Sequence, residues 1–160
     1  MRNLLILAFL SEIPFDLALH HSVFDFEYQN TCFTLLLGLF LFTFLDQIGR
    51  KNLSLNKSRV AQASTLVLFA AVALLIRSDY GAYGICCLAA FYYLRKLPVQ
   101  AAFISCLILN LDSFGTPTAF LALIPIYLYN GMHGRQFKYG FYIFYPLHLF
   151  LLFILRSIFS

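Results

Sequence analysis

The chain has 160 residues, of which 61% are hydrophobic and only 11% charged, whereas a soluble domain averages about 45–50% apolar and about 25% charged residues. Mean hydropathy is +0.81, and the apolar residues fall in long runs broken by short polar clusters. This excludes a water-soluble globular fold, and the net charge of +4 speaks for membrane topology rather than for a nucleic-acid partner.

A helix crossing the ~30 Å hydrocarbon core needs about 20 mostly apolar residues. A barrel would show apolar/polar alternation, and the run from Phe33 to Leu45 does not alternate. The expectation is therefore an all-α polytopic membrane bundle of about seven transmembrane helices, a single transmembrane domain over residues 1–160. The candidate spans are 3–20, 31–48, 60–77, 80–94, 98–111, 117–130 and 138–157.

The first span opens like a signal peptide, with Met1-Arg2-Asn3 before an apolar run. It contains Glu12, Pro14 and Asp16 and lacks a small-residue cleavage site, so it reads as a retained membrane segment. An ionisable side chain inside the bilayer costs at least about 2.5–3.5 kcal/mol and is a functional candidate by default. Glu12, Asp16 and His20 stand at i, i+4 and i+8, so on a continuous helix they form one polar stripe. Pro14 removes a backbone donor within it and predicts a kink. The competing reading is that these carboxylates only bond neighbouring helices.

The second and third spans are long and apolar. Between the third and fourth lies Arg77-Ser-Asp-Tyr-Gly-Ala-Tyr-Gly84, a compact polar turn in which Asp79 either pairs with Arg77 or, with Tyr83, meets a substrate. The fourth, fifth and sixth spans are short, which predicts tilting, local thinning or interruption. Pro98 and Pro117 suit first-turn positions. Asn110 and Asp112 mark a helix end, while Asn130, Gly131, Gly134 and Arg135 form a turn that serves either chain reversal or ligand contact. In the last span, His148 lies ~15 Å above the inner edge at Lys138. Counting from Asn3 sets Glu12 at similar depth, so His148 is a candidate general base or proton relay with Glu12 or Asp16 orienting it. Tyr145 shares the face of His148, and Pro146 loosens the backbone beside it.

With the N-terminus inside and seven crossings, nine basic residues (Arg2, Arg50, Lys51, Lys57, Arg59, Arg95, Lys96, Arg135, Lys138) lie inside and two (Arg77, Arg156) outside. The outer connections carry Asp25, Glu27, Asp79 and Asp112. This asymmetry predicts an N-in, C-out topology. Arg135 and Lys138 have a second reading, as contacts for an anionic cytoplasmic ligand or lipid headgroup. The four cysteines, Cys32, Cys86, Cys87 and Cys106, have no metal-ligand spacing. They read as small lipid- or core-facing residues, so no metal is expected. No P-loop, GxGxxG, GxSxG or HExxH motif is present.

Five strings resemble the signature segments of the TraX family, in the family's order and over nearly the whole chain. They are Ser11-Glu-Ile-Pro-Phe-Asp16, Phe33-Thr-Leu-Leu-Leu-Gly38, Asp79-Tyr-Gly-Ala-Tyr-Gly84, Asn130-Gly131 and Phe144-Tyr-Pro-Leu-His148-Leu149. The resemblance implies a multi-pass protein of the bacterial inner membrane, related to membrane acyltransferases. It also implies N-acetylation of conjugative pilin or a similar secreted acceptor, with acetyl-CoA as donor. The family pattern has further N-terminal membrane sequence with an Asp-His pair, which no residue here matches. The chain is expected to be an N-terminally short form, or its true start to lie upstream.

The leading expectation is thus a membrane acetyltransferase. His148, Glu12 and Asp16 carry its catalysis, and Asp79, Tyr83, Tyr145, Asn130, Arg135 and Lys138 its substrate contacts. Membrane lipid and possibly pilin are its partners, and nucleic acid is not among them. The alternatives are a non-catalytic factor for pilus or conjugation assembly, whose polar residues bind partner helices, and a small proton-coupled transporter.

Overall fold

The computed structural model describes residues 2–19, 29–112, 117–132 and 138–159. The chain runs as α1 (Arg2–Leu19), α2 (Thr31–Arg50), α3 (Leu55–Leu75), α4 (Gly81–Tyr93), α5 (Pro98–Asp112), a 3-10 segment (Pro117–Ala122) continuing as α6 (Leu123–Leu128), and α7 (Lys138–Phe159). Among the described residues there is no strand, so the all-helical expectation holds. Each of the seven apolar runs corresponds to one helical stretch.

α2 and α3 are long and apolar enough to cross a membrane, while α4 and α5 fall below that length. At about 1.5 Å per residue, the 15 residues of α5 reach only ~22 Å. The sixth run is interrupted as expected, half 3-10 and half α. Pro98 and Pro117 each open their element, where a missing N–H costs nothing. α1 and α7 run unbroken through Pro14 and Pro146. Residues His20, Asp25, Glu27, Gly115, Gly134 and Arg135 lie outside the described residues.

Two apolar clusters hold the bundle. Leu41 and Leu45 of α2, Ala73 of α3 and Ile85 of α4 are buried together, ringed by Leu37, Phe42, Leu66, Phe69, Ala70 and Tyr92. The second joins Leu7 and Ala8 of α1 to Cys32 of α2, with Tyr145 of α7 against it. Small residues allow the closest approaches, as membrane helix pairs require. Gly38 of α2 faces the Leu88 side chain, and a Cβ on Gly84 of α4 would lie 2.6 Å from Thr34 Cγ2. Between α4 and α5, Ser105 Oγ donates to the Cys87 carbonyl at 3.3 Å, beside buried Ala101 and Ala102. Outward faces are apolar too, with Val67 69%, Leu75 82% and Leu128 72% exposed. Water would penalise that surface at about 25 cal/mol per Å².

The two ends are tied separately. At one, the connections before α2 and after α3 meet: Gln29 N–H donates to the Arg77 carbonyl and Asp79 N–H to the Gln29 carbonyl, both at 2.9 Å. At the other, Tyr92 Oη donates to Asp46 at 2.6 Å and Tyr93 Oη to Gln62 at 3.1 Å, while Arg95 lies over the Tyr92 ring. The α3–α4 turn thus lies at one end and the α2–α3 and α4–α5 connections at the other.

Candidate functional site

The polar residues gather at the N-terminus of α2. Asn30 is fully buried and is the N-cap of that helix. Its Oδ1 accepts from the Cys32 N–H at 2.9 Å, and its Nδ2 donates to the Ala8 carbonyl at 2.8 Å and to the Glu12 carboxylate. One side chain thus caps α2, ties it to the backbone of α1 and holds an acid. A buried amide with both donors and its acceptor engaged is fully satisfied. The positive end of the α2 dipole favours carboxylates here.

A second acid arrives from the α3–α4 turn, where the Thr31 hydroxyl donates to Asp79 Oδ2 at 2.6 Å. Arg77 leads into that turn with φ +52°, and Gly81 closes it at +46°. Among the described residues no ion pair joins Arg77 to Asp79, so the pairing reading of this turn gives way to a Thr31–Asp79 bond. α7 supplies Tyr145, whose phenol lies against the Thr31 hydroxyl and the Cys32 thiol. Glu12, Asp79 and Tyr145, from three separate parts of the chain, therefore converge on the first turn of α2.

Asp16 lies one turn beyond Glu12 and is 1% exposed. Glu12 and Asp16 thus lie on the buried side of an unbroken α1, as the stripe predicts. Ser11 Oγ, Glu12 Oε1 and Thr34 Oγ1 are buried, with no hydrogen-bond partner among the described residues. Such atoms are costly unless something polar meets them.

His148 is held differently. Its Nδ1 lies 3.1 Å from the Phe144 carbonyl of its own helix, and its ring stacks on Phe144 at 5.2 Å and contacts Tyr145 at 5.4 Å. Among the described residues no hydrogen bond joins it to Glu12, and the side chain between it and the α2 cluster is Tyr145. Glu12 stands level with the N-cap of α2, at the end of that helix rather than half-way along it. Counting residues from Asn3 compared α1 with α7 only, so it could not show that Glu12 meets the start of α2.

The other expected residues lie apart. Tyr83 is exposed in the first turn of α4, with no hydrogen bond to the cluster among the described residues. Asn130 Oδ1 accepts from the Met132 N–H at 3.0 Å across Gly131, whose φ is +76°. That is turn chemistry, and it lies beyond α6. Lys138 is the first residue of α7. Cys87 and Cys106 are buried and Cys86 exposed, which fits the reading of the cysteines as small filler. Cys32, also buried, belongs to the cluster as well.

Sequence reasoning passed over Asn30 and Thr31, although a polar pair directly before a long apolar run is a helix-start signal. No curated protein and no solved structure matches the chain. Over residues 1–156 it matches the family model described as TraX protein. With its five signature strings in order and that match spanning nearly its whole length, the chain belongs to the TraX family.

Proposed function

We propose that this TraX-family chain is a multi-pass protein of the bacterial inner membrane, N-terminus inside and C-terminus outside, that transfers an acetyl group to an amine on a secreted acceptor such as a pilin N-terminus. The observation that carries this reading is the meeting of Glu12, Asp79 and Tyr145 at the N-terminus of α2. The N-in assignment makes this the outer end, where a secreted acceptor arrives. Two carboxylates beside neutral donors suit an ammonium group, and a carboxylate or imidazole takes its proton as the nitrogen attacks.

Acetyl-CoA is the proposed donor, approaching from the basic inner face near Arg135 and Lys138. The amine nitrogen bonds to the thioester carbonyl carbon, the carbon–sulfur bond breaks, and coenzyme A leaves as a thiolate with the electron pair and takes up the proton that the amine released. His148, in ring contact with Tyr145, is the proposed base, with Glu12 and Asp16 orienting the amine. The large exposed apolar faces of α3, α5 and α7 support the membrane setting.

The test is transfer of labelled acetyl from acetyl-CoA to a pilin peptide by protein reconstituted in liposomes. His148→Ala and Glu12→Gln are expected to lower the rate about 10²-fold or more. A wild-type rate no higher than that of empty liposomes, together with an unchanged His148→Ala variant, would refute catalysis. The second reading, a non-catalytic factor for pilus assembly, is favoured by Asn30, whose bonds to Ala8 and Glu12 are helix-to-helix ties. Copurification with pilin that survives His148→Ala, without label transfer, selects it.

A further inference from the structure

α5 and α6 do not close on each other along their whole length. An open cavity of about 380 Å³ lies between them, lined by Val99, Gln100, Phe103, Ile104 and Leu123. That volume is within the range of sites for small ligands. Four of these residues lie within one and a half turns of α5, so the groove follows that helix upward from its first residues. Farther along, α5 is fixed to the 3-10 segment: Cys106 Sγ donates to the Ala119 carbonyl at 3.2 Å, and Phe103 and Phe120 meet edge-on at 5.9 Å. The walls are apolar except for the Gln100 amide near the starting end.

Immediately before that end come Arg95 and Lys96, both exposed on the four-residue α4–α5 connection. Arg95 is partly anchored over the Tyr92 ring, which also binds Asp46. Lys96 has no ion pair or side-chain hydrogen bond among the described residues. The first lining residues of the slot, Val99 and Gln100, thus follow two exposed cations by only a few positions in the chain.

We propose that this groove holds one acyl chain of an anionic phospholipid whose phosphate rests on Arg95 and Lys96. The charge pattern selects the occupant. A neutral lipid would gain nothing from the two cations, and a soluble anion nothing from the slot. The Gln100 amide, the polar group of the groove wall, would meet the ester carbonyls of such a lipid. The proposal rests on the membrane reading, because it needs the α4–α5 connection at the inner headgroup level, but not on acetyl transfer.

The test uses purified protein in phosphatidylcholine vesicles carrying spin-labelled phosphatidylglycerol or spin-labelled phosphatidylcholine, and reads the motionally restricted fraction. Wild type is expected to prefer phosphatidylglycerol, and Arg95→Gln/Lys96→Gln to lose about five-fold in relative association per charge removed. Ile104→Trp, which fills the slot without touching charge, is expected to lower restriction of both lipids. Arg50→Gln/Lys51→Gln, at the same end but away from the groove, is expected to leave the preference intact.

Equal restriction of the two lipids by wild type would overturn the proposal. So would a preference that Arg50→Gln/Lys51→Gln lowers as much as the Arg95 and Lys96 pair, because the charge would then act diffusely. Protein that fails to float with vesicles would overturn both this proposal and the membrane reading. Lipid selectivity without label transfer would leave the site standing and remove only the enzymatic reading.

Discussion

Asn30→Ala removes more than one helix cap. The substitution deletes the cap on the Cys32 N–H, the bond to the Ala8 carbonyl and the bond to Glu12. A lost N-cap costs about 1 kcal/mol. Each side-chain bond between membrane helices is worth about 0.6 kcal/mol on average and about 1.7 at most. The sum is about 2–4 kcal/mol, with the upper end favoured because Glu12 Oε1 is already buried with no hydrogen-bond partner among the described residues. Asn30→Asp keeps an acceptor for the cap but sets a second carboxylate against Glu12, so it is expected to cost at least as much, and Glu12→Gln should restore part of that loss. The chain has no tryptophan, so unfolding in mixed micelles of rising SDS content is best followed with a thiol-reactive dye. Cys32, Cys87 and Cys106 are buried and report opening, while exposed Cys86 sets the baseline. Asn30→Ala within about 0.5 kcal/mol of wild type, a difference smaller than the lost cap alone, would refute the idea that this residue joins α1 to α2.

Gly84→Ala should destabilise by about 1–3 kcal/mol. Its Cβ would meet Thr34 Cγ2 at 2.6 Å and Tyr80 Cβ at 2.8 Å, both short and stiff groups. Gly38→Ala meets only the Leu88 side chain, most closely at its flexible end, and should cost less, an order that the same dye assay checks. In a cysteine-free background, Asp79→Cys should be labelled by an impermeant maleimide from outside whole cells and Lys57→Cys only after lysis, and the reverse pattern would overturn the N-in topology. Tyr145→Phe keeps the packing on Leu7, Ala8 and Cys32 but removes the phenol, and should lower acetyl transfer at least ten-fold if His148 works through the cluster. An unchanged rate beside an inactive His148→Ala would show that His148 acts without it.

The helices were legible because apolar runs and their interruptions depend on solvent and chain chemistry alone. Pro98 and Pro117 open their elements, and the adjacent cysteines 86 and 87 divide between an exposed and a buried face. The third helix extends further toward its start than expected, to Leu55, because Leu55-Asn-Lys-Ser-Arg is polar yet helix-tolerant and needs no apolar face at a helix end. The 3-10 form of residues 117–122 could not be read from apolar content. It follows from contacts that lie far apart in sequence, such as Cys106 with Ala119.

The candidate site was half legible for the same reason. Glu12, Asp16 and Asp79 stood out because a charge in an apolar setting has a cost that composition reveals. Asn30, Thr31 and Cys32 carry no such cost on their own, and their importance arises only where α1, the α3–α4 turn and α7 bring partners to them. The pairing of Glu12 with His148 finds no hydrogen bond among the described residues, where His148 contacts Phe144 and Tyr145 instead. Asn30, bonding the Ala8 carbonyl and Glu12, sets the start of α2 beside the middle of α1. A single N-cap therefore makes the acidic stripe of α1 part of a helix-end cluster with a second acid from a neighbouring turn. The cluster sets carboxylates at the positive end of a helix dipole, where negative charge is favoured.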